Sequence, residues 1–298
     1  MIKKTIHIGN SVYLSTKNQQ MVVTYSDGDK AQRTVPVEDL GILVVEDHRS
    51  TISFRLLDLL LNNNVAVITC NPKHMPVGMH LPFVGHTEQT ERFRYQLEAT
   101  LPLKKNMWQQ TVKSKIQNQA ALLTEYGGEA NPMLLMAGEV TSGDTLNHEG
   151  QAAAYYWRKL IEIPFFNRYR FGEPPNNLLN YGYAILRAII ARSLTGSGLL
   201  PALGIKHINK YNAFCLADDI MEPYRPFVDY IVLSIMNRYD DISELNTTLK
   251  AELLKLPAID VRLDGKTSPL LVAASRTSHS VYECFAGISR KILYPEYG

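Results

Sequence analysis

The sequence predicts an α+β protein, with a small N-terminal β-sandwich-like domain followed by a larger, mostly α-helical domain. Residues 1–82 contain short β-rich segments separated by turn signals, and composition changes after Pro82. Residues 91–298 carry the apolar periodicity of helices to the end of the chain. We assign residues 83–90, which include Gly85-His86-Thr87, to a linker. A length of 298 residues suits two domains, at about 150 residues per domain.

The N-terminal elements follow from alternation and apolar runs. The predicted strands are Thr5–Leu14 (around Gly9-Asn10), Gln20–Tyr25, Arg33–Val37, Leu40–Val45 and Val65–Thr69. A hairpin turn is expected at Ser26-Asp27-Gly28-Asp29. Ser50 or Thr51 is expected to cap a helix over Ile52–Leu61, which ends at Asn62-Asn63-Asn64.

The sequence predicts that the C-terminal domain consists of consecutive helices. The predicted segments are Gln89–Leu103, Lys105–Leu123, Pro132–Val140, Leu146–Glu162, Leu178–Leu194, Leu216–Asn237 and Ile242–Leu254. Pro174-Pro175 and the loop Thr195–Gly204 interrupt them.

Composition indicates a globular protein, with 45% apolar residues and a formal net charge of +2. That charge is too small to indicate a nucleic-acid-binding protein by itself. The charge is distributed unevenly along the chain. The segment from Tyr155 to Lys210 contains eight Lys or Arg and two Glu, and acidic residues follow it. A basic zone beside acidic residues suits a polyanion held next to a metal ion, although solvated helix faces produce similar runs.

The cysteines and the apolar segments bear on location. Cys70, Cys215 and Cys284 are widely spaced and form no CxxC pattern, so we expect neither disulfides nor a zinc site, and a reducing cytosol. No apolar segment follows the N-terminal MIKKT, and the apolar runs at Leu57–Leu61 and Ala184–Ala191 are too short to span a bilayer. We expect a soluble, cytoplasmic protein without a membrane partner.

The segment Gly204–Pro226 concentrates side chains that bind metals and phosphates. Asp218 and Asp219 precede Glu222 by four and three residues, so either can share a helix face with it, and helical geometry does not choose between them. Because Pro223 is tolerated only in a first turn, the helix should start near Leu216 or Ala217. Acidic residues there also stabilise a helix N-terminus without any further function.

Two further residues are candidate ligands, and a third is a candidate contact. His207 follows a glycine-rich loop, where a single histidine is more often a core or loop residue than a ligand. Glu149 lies beside small residues, Gly150 and Ala152–Ala154, which allow close helix packing and would bury its carboxylate at a cost unless it is paired or metal-bound. Arg225 is either an ion-pair partner of Glu222 or a phosphate contact. Oxygen and nitrogen ligands of these kinds suit a divalent cation in phosphate chemistry.

At these residues the chain resembles the CRISPR-associated integrase family (the Cas-one family), the metal-dependent enzymes of spacer acquisition. The resemblance extends over nearly the whole chain and its last motif is most similar to type II systems. The segments that carry it are GILVVEDHRSTIS, NHEGQAAAYYW, PPNNLLNYGYAIL and LGIKHINKYNAFCLADDIMEPYRP.

The resemblance implies a ligand set. The family's metal-binding glutamate corresponds to Glu149, its histidine to His207, and its downstream acidic pair to Asp219 and Glu222, which favours Asp219 over Asp218. Glu149, neutral His207 and Glu222 would balance one Mg²⁺ or Mn²⁺, and Asp219 would act through a bound water or on a second ion.

The resemblance also implies an activity and partners. The expected activity is that of a metal-dependent DNA endonuclease and integrase, which inserts spacer fragments of double-stranded DNA into a CRISPR repeat by attack of a 3′-hydroxyl. The expected assembly is a homodimer joined through the β domains, with two dimers bridged by a dimer of the small Cas-two partner into a heterohexamer; other CRISPR proteins are further candidate partners. The alternatives are a structure-specific DNA-repair nuclease and a non-catalytic, metal-stapled DNA-binding scaffold. Candidate DNA contacts are Arg168, Arg170, Arg187, Lys206, Lys210, Arg225, Tyr181 and Tyr211.

Overall fold

The structure is a computed structural model that describes residues 3–26, 30–161, 163–164 and 166–298. It has a mixed α+β composition of about 47% helix and 16% strand, which confirms the predicted class. The chain forms two compact units, Met1–Gly85 and His86–Gly298, whose boundary falls inside the predicted linker. The predicted hairpin turn lies largely outside the described residues, because it rests on residues 27–29.

The described residues of the first unit form two four-stranded sheets and one α-helix. Its elements are β1 (Lys4–Ile8), β2 (Val12–Lys17), β3 (Gln20–Tyr25), β4 (Arg33–Pro36), β5 (Leu40–Val45), β6 (Thr51–Ile52), α1 (Phe54–Asn62), β7 (Ala66–Cys70) and β8 (Pro76–His80). One sheet has the order β1-β5-β7-β8, in which the first three strands are parallel and β8 is antiparallel. The other has the order β4-β3-β2-β6. Leu14, Met21, Leu43 and Leu60 are buried in the core that the sheets and α1 share.

Most predicted strands of this unit are found, and β3 and β5 have the predicted bounds. The predicted helix start is wrong. Thr51 and Ile52 pair with β2 as a short parallel strand, and Ser53 caps α1 by accepting a hydrogen bond from the backbone of Leu56. Three residues within one short segment, Ser50, Thr51 and Ser53, carry capping side chains, so local sequence alone does not select among them. The strand β8 was not predicted.

The second unit is helical around one buried helix. Its elements are α2 (Gln89–Glu98), α3 (Leu101–Glu125), α4 (Asn131–Glu139), α5 (His148–Leu160), α6 (Asn176–Gly196), α7 (Cys215–Ile220), α8 (Arg225–Met236), α9 (Thr247–Leu253), β9 (Asp260–Leu263), β10 (Lys266–Pro269) and α10 (Leu270–Phe285). Helix α6 is buried on nearly every face and packs against α7, α8, α9 and α10. Helix α3 packs against α4, α5 and the turn between α7 and α8.

Three predictions for this unit need correction. The predicted helix Leu216–Asn237 is two helices, α7 and α8, joined by a 3-10 turn over Glu222–Tyr224, because Pro223 and Pro226 each require a first-turn position. The predicted helix Gln89–Leu103 ends at Glu98, after which Thr100 caps α3. The chain is not helical to its end, because β9 and β10 form a hairpin.

The structure bears on the expectations about the cysteines and about membrane-spanning segments. Cys70, Cys215 and Cys284 are all buried. Within the described part of the chain, no helix combines the length and the apolar character needed to cross a membrane.

Close packing of α6 against α8 and α9 depends on Gly182. A Cβ atom at this position would overlap Cγ1 of Val228 and lie 3.4 Å from Cδ2 of Leu253. We expect Gly182→Ala to lower the free energy of unfolding by about 1–3 kcal/mol, because overpacking forces the neighbouring helices apart. Urea unfolding followed by circular dichroism measures the change.

Gly138 supplies the matched control for this substitution. It is an exposed helical glycine in α4, and a Cβ atom there would meet no atom within 4 Å. Gly138→Ala should therefore raise the free energy of unfolding by about 0.5–1 kcal/mol. Equal effects of the two substitutions would contradict the packing argument.

Candidate functional site

Glu149 is fixed in the first turn of α5 by side chains that cap the helix. Asp144 accepts hydrogen bonds from the backbone N–H groups of His148 (2.9 Å) and Glu149 (3.0 Å), and the side chain of Asn147 accepts one from Gly150. These bonds satisfy N–H groups that have no partner within the helix. The Glu149 backbone therefore has a defined position, from which its side chain reaches α3.

Glu222 begins the 3-10 turn between α7 and α8, and its carboxylate is buried between two cations. Oε1 accepts a hydrogen bond from Nε of Arg225 at 2.8 Å. Oε2 lies 2.6 Å from Nζ of Lys115, as an ion pair whose angles do not meet hydrogen-bond geometry. The two cations hold the pKa of Glu222 below its ordinary value, although burial alone would raise it.

Lys115 of α3 joins the two glutamates. Its Nζ donates a hydrogen bond to Oε1 of Glu149 at 2.7 Å and lies beside Glu222, so three separate elements meet at one ammonium group. Burial alone would lower the pKa of Lys115, but the charges of Glu222 and Glu149 outweigh it and raise the pKa above its ordinary value. Lys115 is therefore charged, and it neutralises a pair of carboxylates that would otherwise repel each other.

Asp219 organises the loop that carries His207. Its buried carboxylate accepts hydrogen bonds from the backbone of Ile205 (2.8 Å) and Lys206 (2.9 Å), and Nδ1 of His207 lies 2.5 Å from its Oδ1. The hydrogen bond to Asp219 is the largest influence on the pKa of His207 and raises it. Burial acts to lower this pKa, and the negative charges of Glu222 and Glu149 act to raise it further. Since Nδ1 is engaged, Nε2 is the ring nitrogen left for other partners.

Asp218 faces a different part of the protein from Asp219. It pairs with Arg187, whose Nε lies 2.6 Å from its Oδ1, and it accepts a hydrogen bond from Asn212 at 2.7 Å. Consecutive residues of a helix point in directions about 100° apart, so the two aspartates cannot both face His207. Asp218 thus stabilises α6 and the far end of the loop.

Another buried carboxylate, that of Asp229, supports Arg225 indirectly through the side chain of Tyr183. Asp229 of α8 accepts hydrogen bonds from the hydroxyls of Tyr183 (2.6 Å) and Tyr156 (2.8 Å). The guanidinium of Arg225 lies over the ring of Tyr183, 4.6 Å from its centroid, while its Nε contacts Glu222. The position of Glu222 therefore depends on contacts that extend into the core of the unit.

The chemical types of these side chains, two carboxylates and one imidazole, suit a hard divalent cation. The carboxylates of Glu149 and Glu222 already converge on one cation, the ammonium of Lys115, and Nε2 of His207 is a third donor of suitable chemistry. Among the described residues, no three His, Cys, Asp or Glu side chains are grouped closely enough to hold an ion. A metal ion placed between Oε1 of Glu149 and Oε2 of Glu222 would take the position of the Lys115 ammonium.

The chain is similar in sequence to known proteins. A profile of the CRISPR associated protein Cas1 matches residues 7–252. A protein of Neisseria meningitidis serogroup C (strain 8013) named CRISPR-associated endonuclease Cas1 is 34% identical over 98% of this chain and 94% of its own length. The chain belongs to the Cas1 family. The resemblance read from the sequence motifs is confirmed.

Solved structures share the fold of this family member. A casposase bound to its integration product superposes with a TM-score of 0.80 at 18% identity, covering 98% of this chain and 92% of the casposase chain. A Cas6-RT-Cas1–Cas2 complex gives a TM-score of 0.74 at 19% identity, covering 98% of this chain and 36% of the matched chain. At these identities the comparisons establish the fold.

The candidate DNA contacts differ in accessibility. Arg170, Lys206, Lys210 and Tyr211 are exposed, and Nζ of Lys210 lies over the ring of Tyr211 at 4.9 Å. The others take part in contacts within the unit: Arg168 with Asn176 and Asn180, Arg187 with Asp218, and Arg225 with Glu222. The prediction that Tyr181 stacks on a base is wrong, because Tyr181 is fully buried in α6.

Sequence reasoning missed Lys115, Asn118 and Tyr183. Lys115 and Asn118 lie in the helical run KIQNQ, which has the polar character of a solvated face, yet both side chains are buried. Asn118 donates hydrogen bonds to the carbonyls of Pro223 (2.8 Å) and Pro295 (2.9 Å) and so fixes the turn that carries Glu222. Periodicity gave no signal for these roles, because the partners are far apart in the chain.

The Asp219–His207 contact generates a test that separates the two adjacent aspartates. We expect Asp219→Asn to lower the pKa of His207, because the hydrogen-bonded negative charge that favours the imidazolium is removed. Asp218→Asn should leave it unchanged, since Asp218 pairs with Arg187 instead. NMR titration of the metal-free protein, with His207→Gln to assign the resonance, measures both. Equal shifts in the two variants would contradict the assignment.

Burial of Asp229 predicts a pH-dependent stability. Burial raises its pKa from 3.8 to about 6, against the opposing hydrogen bonds from Tyr183 and Tyr156. Between these values the folded state binds more protons than the unfolded state, so the free energy of unfolding falls as pH rises from about 4 to about 6. A shift of this size corresponds to about 3 kcal/mol.

Asp229→Asn isolates this contribution, because the variant has no carboxyl group to titrate. Urea unfolding between pH 4 and pH 7 should show that wild type loses about 3 kcal/mol more than the variant. Asp240→Asn, at an exposed position beyond α8, is the control and should follow wild type. Parallel curves for wild type and Asp229→Asn would rule out the linkage.

Proposed function

We propose that the chain is a metal-dependent DNA integrase and endonuclease, which inserts short DNA fragments into a CRISPR repeat by attack of a 3′-hydroxyl on a phosphodiester. The observation that carries the proposal is the convergence of Glu149 and Glu222 on one cation, beside a histidine oriented by Asp219. Family membership supports the CRISPR context. The structural neighbour described as a casposase bound to its integration product supports strand transfer as the reaction class.

Glu149, Glu222 and Nε2 of His207 are the groups that would hold Mg²⁺ or Mn²⁺. The bound ion would polarise the scissile phosphodiester and stabilise the charge that develops on the leaving oxygen. Asp219 acts through His207 rather than as a ligand, because its oxygens are engaged by His207 and by the backbone of Ile205 and Lys206. Such a partner fixes the orientation of a ligating imidazole and raises its basicity.

The remaining groups position the site and supply no nucleophile. The attacking hydroxyl belongs to the DNA in strand transfer, or to water in cleavage. Sγ of Cys215 lies 3.4 Å from the carbonyl of Asn212 and 3.7 Å from that of Asn209, so this thiol holds the loop after His207 together. Arg225 stabilises Glu222 in its ionised form, which is the form that binds metal.

The proposed DNA surface is the exposed loop on both sides of His207. Lys206 and Lys210 carry positive charge there, and Tyr211 is 85% exposed. Lysines of this kind neutralise phosphates without reading sequence, and an exposed tyrosine ring can stack on a base. Recognition through the backbone suits an enzyme whose inserted fragments differ in sequence.

The proposed assembly follows the family. We propose a cytoplasmic homodimer joined through the N-terminal units, with a Cas2 dimer bridging two such dimers. The structural neighbour described as a Cas6-RT-Cas1–Cas2 complex supports the Cas2 partnership. The proposal predicts that integration requires the partner, while cleavage of branched DNA does not.

Removal of the metal-binding side chains tests the function. Purified protein, with and without Cas2, is incubated with a labelled short duplex, a repeat-bearing plasmid and Mn²⁺ or Mg²⁺. We expect Glu149→Ala and His207→Ala to lower incorporation of label into the plasmid by at least about a hundredfold, the size of effect seen when one electrostatic contact to a transition state is lost. Label that still enters the plasmid in both variants would refute the site.

Glu98→Ala provides the matched control, because Glu98 is an exposed glutamate at the end of α2. It should retain wild-type incorporation. Chelation by EDTA should abolish the reaction of wild type and control alike. Wild-type cleavage without incorporation, even with Cas2 present, would indicate a repair nuclease, and DNA binding without either reaction would indicate a scaffold.

A further inference from the structure

Lys115 occupies the point at which the carboxylates of Glu149 and Glu222 converge. Its Nζ lies 2.7 Å from Oε1 of Glu149 and 2.6 Å from Oε2 of Glu222. These oxygens come from different elements, α5 and the turn before α8, and Lys115 comes from a third, α3. No two of the three residues are neighbours in sequence, so the contact is a product of the tertiary fold.

The contact is buried, which gives it a strong electrostatic effect. The side chains of Lys115 and Glu222 are 9% and 8% exposed. Two carboxylates this close would repel each other without a cation between them, and in a poorly solvated site the repulsion is weakly screened. The ammonium therefore holds the carboxylates together in the metal-free protein.

The same contact opposes metal binding. Mg²⁺ approaches carboxylate oxygens to about 2.0–2.1 Å, closer than the ammonium lies here. The two cations cannot share the space between Oε1 of Glu149 and Oε2 of Glu222, and their like charges repel. A divalent ion that binds Oε1 of Glu149 and Oε2 of Glu222 at the point between them requires Lys115 to leave.

We propose that Lys115 is a built-in placeholder cation, which preorganises Glu149 and Glu222 in the metal-free protein and is displaced when the divalent ion binds. This inference rests on the proposed metal-dependent function. The displaced ammonium remains attached to α3 beside the site, where the nearest new anion is a phosphate of bound DNA. Lys115 is thus a positioning residue before metal binding and a phosphate contact after it.

Chemical labelling of the wild-type protein tests the displacement directly. Lysines are acetylated with a water-soluble N-hydroxysuccinimide ester in EDTA or in Mn²⁺, without DNA, and the peptides are quantified by mass spectrometry. Lys115 should be protected in EDTA and become reactive in Mn²⁺. Lys113, two residues earlier on α3 and lining a different surface cavity, should react equally in both. Protection of Lys115 that persists at saturating Mn²⁺ would overturn the proposal.

Removal of the ammonium tests the competition. Lys115→Met keeps an unbranched side chain, one atom shorter, without its charge, and Lys113→Met is the matched control. Lys115→Met should have a lower melting temperature than wild type in EDTA, a larger stabilisation by Mn²⁺, and Mn²⁺ affinity by calorimetry that is tighter by about tenfold or more. Affinity equal to or weaker than wild type would overturn the proposal.

The outcomes separate this inference from the proposed function. Failure of wild type and Lys115→Met alike to bind Mn²⁺ would refute the metal-dependent function, and the placeholder with it. Equal Mn²⁺ binding by both, with incorporation of label intact in wild type, would refute the placeholder alone. If Lys115→Met does not fold, the labelling of wild type decides the matter.

Discussion

The convergence of two carboxylates, the buried Glu222 and the partly buried Glu149, is the constraint on which the site depends. Glu149 and Glu222 lie close enough to share one ammonium, and an uncompensated charge in such a place is strongly destabilising. Lys115 compensates from between them, and Arg225 compensates Glu222 from its other side. The three elements that carry these residues are therefore held together by charge as well as by packing.

Helix α3 contributes to this arrangement twice. Lys115 reaches the two carboxylates, and Asn118, one turn further along, donates a hydrogen bond to the carbonyl of Pro223. The same amide binds the carbonyl of Pro295 and accepts a hydrogen bond from the backbone of Tyr297 at 3.1 Å. The turn that carries Glu222 is thus held by Lys115 through the Glu222 side chain and by Asn118 through the Pro223 backbone. Asn118 also holds the C-terminal segment in place.

Local rules could predict part of this structure. Alternation located β3 and an apolar run located β5. The start of α7 at Cys215 lies close to the predicted start near Leu216 or Ala217, but Pro223 acts after α7, where it begins the next turn. The hairpin of β9 and β10 carried a recognisable signal at Asp264-Gly265, whose backbone φ angles are both positive, but the surrounding helical pattern obscured it.

The site could be predicted only in part, because its contacts join distant positions. The motifs identified Glu149, His207, Asp219 and Glu222, and family resemblance preferred Asp219 to Asp218 where helical periodicity allowed either. The structure supplies a physical reason for that preference: Asp219 is the residue that faces the turn at Gly204, where an added Cβ would collide with the carbonyl of His207. Lys115 could not be found in this way, since a lysine within a polar helical run usually faces solvent.

The position of Lys115 changes the charge balance expected for the site. Counted from sequence, Glu149 and Glu222 supply two negative charges, which one divalent ion would neutralise. In the structure the charges of Lys115 and Arg225 already balance those of Glu149 and Glu222. The proposed divalent ion would add two positive charges to this balanced group in a poorly solvated place, which is unfavourable. Phosphates of a DNA strand bound beside it would offset those charges, so the proposal implies that metal and DNA each strengthen the binding of the other at this site.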